Sequence, residues 1–300
     1  PKLRAKKTKP TMSKSNSIIL NSTNLVQGSL HELEFKFPTS VRLENATISL
    51  TSASFYNSFY NISAANRNNS IDVTFPTSAV ASTPQTEIFS FPDSFMSIET
   101  INYFLQSQCI LRNWYAIDAD GLYVYFFNLA SNSSTYGADI VFTELPSAAE
   151  ATALGYTIPT AATWVWPTAS TTMEFAFSQE FGKLIGFEAG TYPGVTTDTV
   201  SVSNTKTPAI STTQSIIVSC NLVSNEFHSG RSVASIPLTA AFGGLISYSA
   251  GPQDLPASVG AATYAGIRLT FQNQAYEYLD LLRDPDVVFR MVLTTHPAGK

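Results

Sequence analysis

The run Glu32-Leu33-Glu34-Phe35-Lys36-Phe37 decides how the rest of the chain is read. Leu33, Phe35 and Phe37 alternate with Glu32, Glu34 and Lys36. Successive side chains on a strand point to opposite faces, so this alternation marks a strand with one face on a core and one in water. The same period of two recurs along the sequence. Ala46, Ile48 and Leu50 repeat it, and Phe55 continues after a change of phase that predicts a bulge. Met173, Phe175 and Phe177 follow, then Ile216, Val218, Cys220 and Leu222. Ala265, Ile267, Leu269 and Phe271 come next, and Val287, Phe289, Met291 and Leu293 close the series. Leu122 to Phe127 is apolar on both faces, which predicts a strand covered on each side. Pro38, Pro76, Pro84, Gly190, Pro193 and Gly251 punctuate these runs.

Helix signals are few. Ile98, Ile101, Leu105 and Cys109 follow helical spacing, with Ser97 placed to cap the first turn. Ser147-Ala148-Ala149-Glu150 has the form of a capping box, and Gly155 is placed to end that short helix. Ala275 to Arg283 has room for a turn or two before Asp284-Pro285 stops it. Many strands with few helices indicate an all-β sandwich or barrel. No internal repeat or linker divides residues 17–300, which are expected to form one domain. Residues 129–170, rich in Ser, Thr and Ala, are expected to be an inserted surface excursion.

The 300 residues are 44% hydrophobic and only 13% charged, about half the usual charged share. Weakly polar surface on that scale suits a protein covered in an assembly better than a free enzyme. The net charge of -5 conceals a split. Residues 1–16 carry Lys2, Arg4, Lys6, Lys7, Lys9 and Lys14 with no acid, a basic N-terminal arm on an acidic body. Such an arm is an electrostatic tether for phosphate or for an acidic protein surface. A basic start with no apolar stretch directly behind it carries the expectation of no secretory leader, and no apolar run approaches a membrane span. Two cysteines, Cys109 and Cys220, cannot form a disulfide framework, and their apolar positions predict buried thiols.

Catalytic constellations are missing from the sequence. It contains no phosphate-binding G-x-x-x-x-G-K-[ST] loop, no H-E-x-x-H helix and no G-x-S-x-G elbow. His31, His228 and His296 are far apart, and the proximity of Glu226, His228 and Ser229 does not make a triad. Asp118-Ala119-Asp120-Gly121 imitates the start of a calcium loop but lacks the later acidic ligands, so it is read as a hairpin turn. The sequons at Asn21, Asn45, Asn61, Asn68 and Asn132 are chance triplets in a chain rich in Ser, Thr and Asn. No catalytic, cofactor or metal site is expected. Trp164 and Trp166, beside Pro167, are the expected exposed interface anchors.

Several segments together resemble one family. The stretch 46–62, from Ala46 through Phe55-Tyr56-Asn57 to Ile62, resembles the early strand and aromatic turn of penton proteins from virophages and polinton-type elements. Phe91-Pro92-Asp93-Ser94-Phe95 is similar to that family's helix start, and Phe181 to Phe187 to its apolar-glycine turn. Ser219 to Asn225 resembles a later strand ending, and Ile267 to Gln274 with Asp286 to Arg290 resemble the closing strands. The order of the segments across 46–294 carries the resemblance, which is closest to the mavirus type. It implies a single jelly roll acting as the pentameric vertex of an icosahedral capsid. The implied partners are four further copies of the chain, the major capsid protein, and viral DNA or neighbouring capsid subunits through the arm. The implied location is the virion, assembled in the host cytoplasm or a virus factory. A jelly-roll lectin or attachment module is the competing class, with Trp164, Trp166 and the Asp118 loop as its only candidate contacts.

Overall fold

A computed structural model describes residues 13–134, 136–194, 198–211, 213–224, 231–281 and 286–297. They fall into two compact units, residues 1–59 with 213–300, and residues 60–212. The sequence carries no Pro-, Gly- or Ser-rich linker at either junction, which is why a single domain was expected over 17–300.

With strands numbered along the chain, the first unit holds β1 (Lys14–Asn21), β2 (Glu32–Leu43), β3 (Ala46–Tyr56), β13 (Ser215–Cys220) and β14 (Ser232–Pro237). It continues with β15 (Leu245–Ser249), β16 (Ala257–Val259), β17 (Ala262–Gln272) and β18 (Val288–Thr295). One sheet has the order β1-β18-β3-β15, with β16 also pairing β3, and the other has the order β14-β13-β17-β2. All of these pairs are antiparallel. The logic of the pairing is simple. First pairs with last (β1 with β18), second with second-last (β2 with β17), third with β15 and β16, and the innermost strands β13 and β14 with each other. Taking β15 and β16 as one interrupted strand, the chain is an eight-stranded hairpin rolled on itself, a jelly roll.

The inward phase of each strand is the one the sequence marks. Leu20, Ile48, Phe55, Phe289 and Met291 from one sheet meet Leu33, Ile216, Val218, Ile267 and Phe271 from the other, all fully buried. Phe289 joins the two layers, with its ring 6.0 Å from Phe55 and 4.7 Å from Phe271. The expected bulge in β3 is present. Arg290 faces Ser52 while Met291 faces Leu50, so Thr51 is extra and both Leu50 and Ala53 turn inward. A second interruption sets Tyr264 opposite Val41 but Gly266 opposite Lys36. Pro38, which has no N–H for the ladder, falls in the skipped segment. Ala265, expected to point inward, is exposed there instead. A Cβ on Gly266 would lie 2.5 Å from the Phe35 carbonyl oxygen, so only glycine permits this strand spacing.

The second unit holds β4 (Ser70–Phe75), β5 (Gln85–Ser90), β6 (Ala116–Ile117), β7 (Tyr123–Val124) and β8 (Phe127–Asn132). It adds β9 (Gly137–Phe142), β10 (Glu174–Phe177), β11 (Gly190–Tyr192) and β12 (Val200–Ser203), with helices α1 (Ile98–Arg112), α2 (Ala148–Leu154) and α3 (Gln179–Ile185). Its sheets have the orders β11-β10-β4-β5 and β12-β9-β8, beside the small hairpin β6-β7. Helix α1 starts where Ser97 accepts a hydrogen bond from the Thr100 amide, and it buries Ile98, Ile101, Leu105 and Cys109 as its spacing predicts. Helix α2 has the expected capping box, with Gly155 in the left-handed conformation at its end. Near its beginning and end, this unit is fastened by buried Asn61. The Asn61 amide donates to the carbonyls of Met96 (2.9 Å) and Ile210 (3.0 Å) and accepts from the Met96 N–H.

Three expectations fail. Residues 129–170 are not a surface excursion, because Leu129, Ile140, Phe142, Leu145 and Trp164 from this stretch are buried in the unit's core. Its described Ser and Thr residues crowd the turns and outward positions, and that hid the inward period. The Leu122 to Phe127 run is split between β7 and β8, leaving Leu122 and Tyr123 exposed. Of the turn or two expected over Ala275 to Arg283, Ala275 to Asp280 form no helix, Leu281 begins a 3-10 turn, and residues 282–283 lie outside the described residues. Asn273 draws the chain into a tight turn by accepting from the Ala275 and Glu277 amides, and Tyr278 bridges back to Gln272.

Candidate functional site

The basic arm meets the fold at an edge. Strand β1 is the outermost strand of its sheet, and Lys14, its first residue, is exposed opposite Thr295. Lys2, Arg4, Lys6, Lys7 and Lys9 lie outside the described residues. The negative charge has a definite location. Residues 60–212 contain 13 acidic and 4 basic residues, a net of -9, whereas the first unit without its arm has a net of only -2.

The outer faces of the two roll sheets differ sharply. On the β2–β17–β13 face, Arg268 reaches Glu34 (3.3 Å) and Glu32 (3.9 Å), and Lys36 lies 3.8 Å from Glu34. These residues border a shallow groove of about 410 Å³ with Asn221, Ser219 and Arg231. The Asn221 side chain continues the strand pattern there, accepting from the Arg268 N–H and donating to the Gly266 carbonyl. The groove's glutamates and Arg268 are mutually paired at the surface, where such pairs contribute little energy.

The outer face of the other sheet carries almost no charge. Ser15, Thr294, Thr47 and Ser258 lie in one cross-strand row, and Ser17, Val292 and Ser49 in the next. Then come Ile19, Arg290, Ser52 and Ser249, followed by Asn21, Val288, Ser54 and Ser247, and finally Tyr56 with Leu245. Arg290 is the one charged side chain among these outward strand positions, and its Nε donates to Ser17 Oγ at 3.0 Å. Sequence reasoning overlooked Ile19, Tyr56, Leu245 and Val288. Their signal was an apolar residue in the outward phase of a strand.

Trp164 is not an exposed anchor. It is 2% exposed, its Nε1 donates to the Asn113 carbonyl, and its ring lies 5.0 Å from Phe75. Trp166 is half-buried against the same core, edge-on to Trp164 at 5.1 Å. The Asp118 carboxylate is committed to the backbone, accepting from the Asp120 and Leu122 amides in the β6–β7 turn. The hairpin reading of that loop stands.

The titratable groups are dispersed. His31 stacks on Tyr278 at 4.4 Å, and His296 is bonded to the hydroxyls of Ser13 and Thr47. Glu226, His228 and Ser229 lie outside the described residues. Among the described residues, no group of three or more His, Cys, Asp or Glu side chains could hold a metal ion. Cys109 and Cys220 are free, buried and in different cores. Burial pushes both thiols up, Cys220 to about 11 and Cys109 further, so neither is a nucleophile at neutral pH. Among the described residues no helix is long and apolar enough to cross a membrane.

Fold and surfaces together define an all-β jelly-roll protein with a large acidic unit inserted between its third and fourth roll strands. No family model and no curated protein matches the chain. Among solved structures it is similar to the selenomethionine-labelled mavirus penton protein, at 10% identity, covering 94% of this chain and 97% of that one with a TM-score of 0.44. It is also similar to a chain in the 3.5 Å electron cryo-microscopy structure of the Sputnik virophage, at 10% identity, 94% and 97% coverage and a TM-score of 0.40.

Proposed function

We propose that this chain is a structural capsid protein that forms the pentameric vertex of an icosahedral virus particle and docks on the major capsid protein. A jelly roll hosts many functions, so the fold does not choose among them. The observation that carries the reading is the division of charge: a nearly neutral roll joined at an edge strand to a purely basic arm. Neutral flanks permit close packing of copies, and the arm supplies the attraction to an acidic surface or to DNA. The resemblance of the ordered segments across 46–294 to virophage pentons points the same way. In this reading Lys2, Arg4, Lys6, Lys7, Lys9 and Lys14 contact neighbouring capsid subunits, DNA or both.

The attachment-module reading has lost its contacts, since Trp164 is buried, Trp166 half-buried and Asp118 held within a turn. The deciding experiment is electron microscopy of the purified protein and of shells assembled with the major capsid protein. Five-membered rings and density at the vertices are expected. A monomer in both preparations would overturn the proposal.

A further inference from the structure

The nearly uncharged outer face of the β1-β18-β3-β15 sheet carries an apolar stripe. Ile19 on β1 is 56% exposed, Val288 on β18 is 41%, Tyr56 on β3 is 39% and Leu245 on β15 is 51%. The register makes their arrangement regular. Ile19 shares its row with Arg290, Val288 stands one row on and one strand across, and Tyr56 one row and one strand further, directly opposite Leu245. Diagonal neighbours on a sheet lie about 7–8 Å apart, close enough for such side chains to form a continuous ridge. The ridge crosses four strands through a field of hydroxyl side chains.

We infer that this face is the contact by which one copy of the chain packs against a second copy. The inference rests on the proposed ring and names the surface that builds it. Three observations single out a copy of the chain as occupant. Strands spaced about 4.8 Å apart and rising about 3.4 Å per residue make a face of roughly 600 Å², near the ~800 Å² per partner of a standard interface. Charge is depleted here while the other sheet displays Glu32, Glu34, Lys36 and Arg268, and depletion of charge is the mark of an interface core. A ring is built head to tail, so this face meets a different surface of the neighbouring copy, and hydroxyls, which both donate and accept, suit it to a weakly charged one. DNA would require several cations, and among the described outward strand positions of this face Arg290 is the one cation, already bonded to Ser17.

The test is sedimentation velocity of the full chain across a concentration series, with Ile19→Lys/Val288→Lys, Leu245→Lys and the opposite-sheet control Lys36→Glu. All of these positions point outward, and far-ultraviolet circular dichroism with melting checks that each variant is folded. The double variant is expected to raise the concentration needed for association at least a hundredfold, and Leu245→Lys about tenfold. Lys36→Glu should leave it within about twofold. Val288→Ser, which copies the surrounding chemistry, should fall between wild type and the double variant. Rings that persist unchanged in the folded double variant would overturn this surface while leaving the ring itself intact. Persistent rings that no longer enter shells would overturn it too, by assigning the face to another capsid protein. A wild-type chain that never associates would remove the pentamer as well.

Discussion

Replacing Trp164 by alanine distinguishes a core tryptophan from a surface anchor. Its ring packs edge-on against Phe75 at 5.0 Å and Trp166 at 5.1 Å, and Phe75 in turn stacks on Trp114 at 5.2 Å. Truncating a buried tryptophan costs about 3–5 kcal/mol through lost transfer energy and the cavity left behind. The Asn113 carbonyl also loses the indole N–H, worth about 1 kcal/mol. A total near 5 kcal/mol follows, a large part of the ~5–15 kcal/mol that holds an ordinary domain together. The readout is unusually clean, because Trp114, Trp164 and Trp166 all lie within residues 60–212. Tryptophan fluorescence in urea therefore follows that unit alone, and Trp114 and Trp166 still report when Trp164 is gone. With a slope of about 2 kcal/mol per molar urea, the midpoint should fall by about 2 M or more. Trp166→Ala, at a half-buried ring, should shift it less. A Trp164→Ala shift worth under about 1 kcal/mol would refute the burial argument and restore Trp164 as a surface residue.

Gly266→Ala places a methyl against the Phe35 carbonyl, and because the contacting atoms are the backbone of Phe35 and Lys36 no side-chain shift relieves it. Calorimetry should show a loss of about 1–3 kcal/mol. Native protein at neutral pH should resist thiol labelling at both Cys109 and Cys220, and urea should release two equivalents. Because burial raises both thiols, the unfolded chain ionises first as pH climbs above the ordinary range near ~8.5, so stability should fall there, and Cys220→Ser should reduce that fall. Glu150 is held below its usual value by the Ser170 and Ser147 hydroxyls and the Ser147 amide. Its contribution is present at neutral pH and lost as pH falls through the lowered value. Glu150→Gln should therefore flatten the acid side of the melting profile, and an unchanged profile would remove that role.

The roll was legible wherever one face of a strand is buried, since burial imposes a period of two on the sequence. Even the bulge at Thr51 showed, because an extra residue shifts the phase and the shift is visible between Leu50 and Phe55. The caps of α1 and α2 were legible because Ser97, Ser147 and Glu150 act within one turn of themselves. What stayed hidden depends on partners distant in sequence. The inserted unit buries its own core around Phe75, Trp114 and Phe175, and nothing local at residues 59–60 or 212–213 announces a boundary. Trp164 read as surface because its neighbours are Ser, Thr, Ala and Pro, whereas the rings that enclose it come from far along the chain. The stripe of Ile19, Val288, Tyr56 and Leu245 is created by register across four strands, and no single strand displays it.

The placement of charge has a physical consequence for assembly. Were the -11 outside the arm spread evenly over the body, neighbouring copies in the proposed ring would repel one another at every flank. With -9 confined to residues 60–212, the roll itself carries a net of only -2. Spread evenly, the roll's share of the -11 would be about -5, and Coulomb repulsion scales with the product of the charges, so at equal distance the roll-to-roll term falls about sixfold. Salt screens what remains beyond about 8 Å. A roll built this way can associate through hydroxyl and apolar contacts that would not survive strong self-repulsion. The acidic unit keeps the chain's net charge away from zero, which opposes indiscriminate aggregation. Reducing the unit's charge with exposed substitutions such as Asp120→Asn and Glu180→Gln should therefore affect solubility before it affects the proposed ring.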